Sequence, residues 1–150
     1  MLRHLLLAAP LLVAQASDLW GPAEIVTDGD SLWVAGRMVE LWGIDAPEPD
    51  QACLRNGAEY DCGSEARDAL GALVGGQVLT CAAVDRDEMN RVIARCSVAG
   101  NDLGALMVGS GQAIAMEPRY QAEEEAAKAG RRGLWSGRFI PPPLWRAGER

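Results

Sequence analysis

This chain has one histidine in 150 residues, at position 4. It lies in a stretch with the marks of an export leader. Arg3 and His4 form a short basic start, and Leu5 to Val13 is an apolar run too short to span a bilayer comfortably. Ala14-Gln15-Ala16 then has the small-x-small form of a cleavage site. On this reading residues 1–16 are a signal peptide, and the working domain, 17–150, has no histidine at all. A Ser-His-Asp or Cys-His mechanism and a His-ligated zinc site are thereby excluded. The four cysteines contain no C-x2-C pair, which argues against a cysteine-only zinc site. Basic residues are also short: 14 Lys and Arg stand against 21 Asp and Glu, for a formal charge of −7. Loss of Arg3 with the leader makes the balance one unit more negative. Such a surface does not attract a polyanion in general, so any contact with one has to be local. What remains for chemistry is carboxylates, arginines and a hard metal ion.

Export changes how the cysteines are read, because an even count in an oxidising compartment suggests disulfides. Cys53, Cys62, Cys81 and Cys96 allow three pairings. The favoured one joins Cys53 to Cys62 across a short polar loop and Cys81 to Cys96 across two strand-like runs. The expected destination is the periplasm or the medium, without stable membrane association once the leader is removed.

At this length a single domain with a real core is expected. Ala23 to Asp28, Ser31 to Val34 and Arg37 to Ile44 read as three short strands in a meander, separated by Asp-Gly and Gly punctuation. Pro47 and Pro49 stop the third. Asp50 to Gly63 reads as a polar loop, and Ser64 as the cap of a helix with Ala66, Leu70, Leu73 and Val74 on one face. Val78 to Val84 and Val92 to Val98 are two further strands. Gly100-Asn101-Asp102 caps a short helix, Gln112 to Ala115 is a brief extended piece, and Tyr120 to Gly130 is a third helix with Glu123-Glu124-Glu125 as its solvated face. Gly133 to Trp145 is expected to pack back as an extended segment. The fold expected is α+β, a small closed or nearly closed five-stranded barrel with three helices, of which an OB-type barrel is one solution.

Two acidic clusters stand out, Asp28-Gly29-Asp30 and Asp45-Ala46-Pro47-Glu48, each ending an apolar run. If those runs are neighbouring strands, their carboxylates converge, which is what a hard cation such as calcium requires. With Val26-Thr27-Asp28-Gly29-Asp30-Ser31, Leu41-Trp42-Gly43-Ile44-Asp45-Ala46-Pro47-Glu48, Asp87-Glu88-Met89-Asn90-Arg91 and Arg132-Gly133-Leu134-Trp135 in this order, the chain resembles the staphylococcal nuclease (thermonuclease) family. Those are calcium-dependent phosphodiesterases built on an OB-fold barrel.

The resemblance implies that Asp30, Asp45 and the Ala46 carbonyl hold calcium, that Glu48 is the general base, and that Arg91 holds the phosphate of DNA or RNA. It also implies a second arginine five residues before Asp45, where this chain has Glu40. An attraction becomes a repulsion there. Arg37 should point to the opposite face of the same strand, and Arg95 lies about 13 Å from Arg91 at ~3.3 Å per residue, so neither replaces it. Met89 and Met116 stand where the family often has tyrosines, leaving Tyr120 as the nearby aromatic. Two functions are therefore expected in competition: a secreted, monomeric, calcium-dependent nuclease of reduced or altered activity, and a non-catalytic, disulfide-braced module that binds calcium or a partner.

Overall fold

The computed structural model describes residues 18–150; the proposed leader, 1–16, lies outside the described residues. Strands β1 (Leu19–Val26), β2 (Ser31–Val34) and β3 (Arg37–Leu41) form the expected meander, and β4 (Ile44–Asp45) follows directly. A hairpin comes next, β5 (Ala52–Arg55) and β6 (Ala58–Asp61), then helix α1 (Cys62–Val74). The long strands β7 (Val78–Arg86) and β8 (Val92–Val98) are succeeded by β9 (Asn101–Asp102), α2 (Leu103–Gly109), β10 (Ile114–Ala115), α3 (Gln121–Ala129) and α4 (Pro142–Arg146).

The main sheet runs β3-β2-β1-β7-β8-β9, and a further parallel pairing of β3 with β8 closes it. Strands β1, β2, β3, β8 and β7 therefore form a closed five-stranded barrel, the OB-fold arrangement, in one domain. Closure follows from alternation. Leu32, Val34, Val39, Leu41, Leu79, Val92, Ala94 and Val98 point inward and are almost fully buried. Leu70 and Val74 of α1 and Leu103 and Met107 of α2 complete the same core. Among the described residues no helix is long and apolar enough to cross a membrane.

The structure corrects the sequence reading in four places. Asp50 to Gly63 is no loop, because Asn56 and Gly57 both adopt positive φ (53° and 76°) and turn β5 tightly into β6. Helix α1 starts before Ser64: the Asp61 side chain accepts the Ser64 N–H at 2.9 Å and is the cap. The tail is not extended throughout. It makes a 3-10 turn at Gly133–Ser136 and then the fourth helix, α4, which uses prolines in its first turn where their missing N–H costs nothing. Only Glu125 of the acidic run is fully exposed, since Glu124 accepts the Ala115 N–H at 3.0 Å and Glu123 is half-buried.

Cys53 is bonded to Cys62, and Cys81 to Cys96. The first bond ties the hairpin to the start of α1. The second joins directly opposed residues of β7 and β8. Both belong to an oxidising compartment.

Candidate active site

The two acidic clusters meet because of a close approach that only glycine permits. A Cβ on Gly29 would lie 2.6 Å from the Cβ of Ala46 and 2.7 Å from that of Ala66. With no side chain there, the β1–β2 turn lies against the segment after β4, and an Asp30 carboxylate oxygen accepts the Ala46 N–H at 2.8 Å. A second glycine sets the base of the site: a Cβ on Gly63 would fall 2.0 Å from the Glu48 carbonyl oxygen, so α1 packs directly on the backbone carrying Glu48.

The result is a cavity of about 420 Å3 into which five carboxylates (Asp28, Asp30, Glu40, Asp45, Glu48) and two arginines (Arg91, Arg146) project. Every acidic and basic residue singled out for chemistry in the sequence is here. Burial, followed by the hydrogen bond and charge of Asp28, holds the Asp30 carboxyl well above the usual carboxylate range, against the lowering effect of the Ala46 N–H. Burial is the larger cause and the neighbouring carboxylate the smaller.

Arg91 is anchored at the end of the β7–β8 connection. Its Nε donates to Asp87 at 2.5 Å, and its Nη2 lies 3.5 Å from the Glu40 carboxylate. The Asp87 hydrogen bond, then the Glu40 charge, raise the Arg91 pKa further, so it is cationic throughout the working range. Glu40 thus faces the cavity and shares the guanidinium that the sequence reading assigned to substrate. Arg37 and Arg95 do not line the cavity. Nor does Tyr120: it is fully buried, its hydroxyl bonds to Asp102 at 3.1 Å, and burial followed by the Asp102 charge pushes its pKa to about 12. Met116 does line it, whereas Met89 is exposed.

The residue that sequence reasoning missed is Arg146. It reaches back from α4 and donates to both oxygens of Asp45, at 2.9 and 2.7 Å, and to Glu48 at 2.7 Å. The hydrogen bond to Asp45, then that to Glu48, raise its pKa above the already high arginine value. Separated from Asp45 by 101 residues in a tail expected to be extended, it gave no local signal. Gln51, almost fully buried, braces this contact: its Oε1 accepts the Glu48 N–H at 3.2 Å and its Nε2 donates to the Ile140 carbonyl at 2.7 Å. One amide therefore holds the Glu48 loop and the approach to α4 at a fixed separation. A second cavity of about 450 Å3 takes Trp145 from the same helix, but Glu59 is the one acidic side chain that lines it and neither acidic cluster contributes to it.

Carboxylate oxygens of this kind suit a hard cation, and the guanidinium on Asp45 and Glu48 is a cation standing among them; Ala46, expected to add its carbonyl, meets Asp30 through its N–H and does not line the cavity. As folded, however, Asp45 is committed to Arg146. Among the described residues no three acidic, histidine or cysteine side chains are grouped to hold a metal ion. A metal at Asp45 has to share that carboxylate with Arg146, through the lone pairs that the guanidinium leaves free.

Comparison with known proteins agrees with this geometry. The family described as staphylococcal nuclease homologue matches residues 38–137. The chain is 34% identical over 127 residues to the succinoglycan biosynthesis protein ExoI of Rhizobium meliloti, covering 80% of this chain and 66% of that protein. It is 32% identical over 114 residues to the probable endonuclease LCL3 of Clavispora lusitaniae, covering 66% of this chain and 48% of that one. The chain thus spans no more than about two thirds of the length of either relative. With the barrel, the paired acidic turns and the match over residues 38–137, the chain belongs to the staphylococcal nuclease homologue family.

Proposed function

We propose that the protein is an exported, calcium-dependent nuclease that hydrolyses phosphodiesters of DNA or RNA at a reduced rate. The observation that supports this most is the convergence of Asp30, Asp45, Glu48 and Arg91 on one cavity. Calcium held by Asp30, Asp45 and the Ala46 carbonyl would neutralise a non-bridging oxygen of the phosphate. Glu48 takes the proton of the attacking water, for which a carboxylate at the cavity edge suffices. Arg91 remains charged and donates to the phosphate as negative charge builds on it. Glu40 opposes that role in two ways, by repelling the phosphate and by holding Arg91. Nucleic acid binds only at this site, given the acidic surface, and the protein works as a monomer. The two disulfides support export to the periplasm or medium.

A second reading is a non-catalytic module. It is favoured by the commitment of Asp45 and Glu48 to Arg146, and by a relative named for biosynthesis and not for cleavage. The readings separate in one assay. Purified protein is expected to cut single-stranded DNA slowly with calcium and to stop when EDTA is added. Equal product in both conditions would remove the metal from the account.

A further inference from the structure

We propose that Arg146 binds the substrate phosphate, through the one edge of its guanidinium that the protein leaves open; this rests on the nuclease reading above. A guanidinium has five N–H groups in a fixed fork. In Arg146 both hydrogens of Nη1 are used, by Asp45 at 2.9 Å and Glu48 at 2.7 Å, and one of Nη2 is used by the other Asp45 oxygen at 2.7 Å. What is left is Nε–H and the second Nη2–H. These two lie on the same edge, and among the described residues neither has a hydrogen-bond acceptor. Parallel donors on one edge are the pattern that takes two phosphate oxygens at once.

Three further features point the same way. Arg146 lines the cavity with 47% of its side chain exposed, so the open edge is reachable. Arg91, the other cation of the cavity, has that same Nε–Nη2 edge turned to Asp87 and Glu40. The brace through Gln51 fixes the approach to α4 relative to Glu48, so the fork is held in place before substrate arrives. A cavity with five carboxylates admits a phosphodiester only where such a donor meets it.

The test is binding of a short single-stranded oligothymidylate in EDTA, read by fluorescence anisotropy across a series of salt concentrations, so that no cleavage and no metal enter. Arg146→Gln is expected to weaken binding about tenfold, as for a lost charge-assisted hydrogen bond. It should also lower the log–log salt slope by about 0.7, the value for one phosphate contact on a single strand. Arg146→Lys, which keeps the charge and loses the fork, should bind with intermediate affinity. The double variant Asp45→Asn, Arg146→Gln has the net charge of the wild type and should stay weak.

Wild-type affinity in that double variant would overturn the proposal, because Arg146 would then act only by neutralising Asp45. Unchanged or tighter binding by Arg146→Gln, with an unchanged salt slope, would also overturn it and would make the guanidinium a plug. A wild-type protein that binds no oligonucleotide removes the nucleic-acid reading itself. Binding without any cleavage in calcium would instead leave Arg146 in place and remove only catalysis.

Discussion

Glu40→Arg is expected to raise the rate of single-stranded DNA cleavage in calcium by about 10²–10³-fold, the worth of one preorganised donor to a transition-state charge. The side chain lies on β3 with its carboxylate 3.5 Å from Arg91, and it lines the same cavity as Asp45 and Glu48. Three effects of the substitution add. A negative charge facing an anionic substrate disappears, Arg91 is released from one of its two partners, and a new fork of donors enters. Glu40→Gln separates the parts, since it removes the repulsion and adds no cation; about a tenfold gain is expected from it, the effect of one charge-assisted contact. The measurement is the initial rate for the three proteins at one calcium concentration. An unchanged rate in Glu40→Arg would mean that position 40 does not meet the phosphate.

The largest expected effect on stability comes from Cys81→Ala with Cys96→Ala. The two residues are opposed across β7 and β8 and almost fully buried, and the bond closes a 15-residue separation. A loop of that size loses about 3 kcal/mol of stability when its cross-link is removed. In a domain of this length that lowers the melting midpoint by roughly 10 °C. The same hairpin carries Asp87 and Arg91 at its far end, so loosening it also frees the cavity wall. Chemical denaturation of the double variant beside wild type measures the loss. A difference below about 0.5 kcal/mol, the range of a neutral surface substitution, would show that the hairpin holds without the bond.

The barrel was legible because its strands alternate and its turns carry Gly and Pro. Leu32 and Val34 on β2, or Val92, Ala94 and Val98 on β8, mark the inner face directly. The acidic half of the site was legible as two acidic turns, but not the reason they meet: Asp30 lies in the β1–β2 turn and Asp45 ends β4, which pairs with β10, and the close approach at Gly29 brings the two together. The β5–β6 hairpin was missed although Asn56-Gly57 signals it, because the surrounding residues are polar and alternate weakly. Arg146 is a different case. Its contact with Asp45 depends on where α4 is set by Gln51 and Ile140, and no local pattern encodes a pairing across 101 residues. Tyr120 shows the converse, a residue in a suggestive place whose hydroxyl is spent on Asp102 within the core.

The central claim is that this carboxylate and arginine cavity hydrolyses phosphodiesters. Its most direct test is cleavage of single-stranded DNA in calcium by wild type and Glu48→Gln, purified identically. Glu48→Gln keeps an acceptor for Arg146 and loses the carboxylate charge and with it the ability to take a proton. Slow cleavage by wild type, reduced by at least about 10²-fold in Glu48→Gln, is the predicted result. Equal rates in the two proteins, or no cleavage by wild type at high concentration, would contradict it.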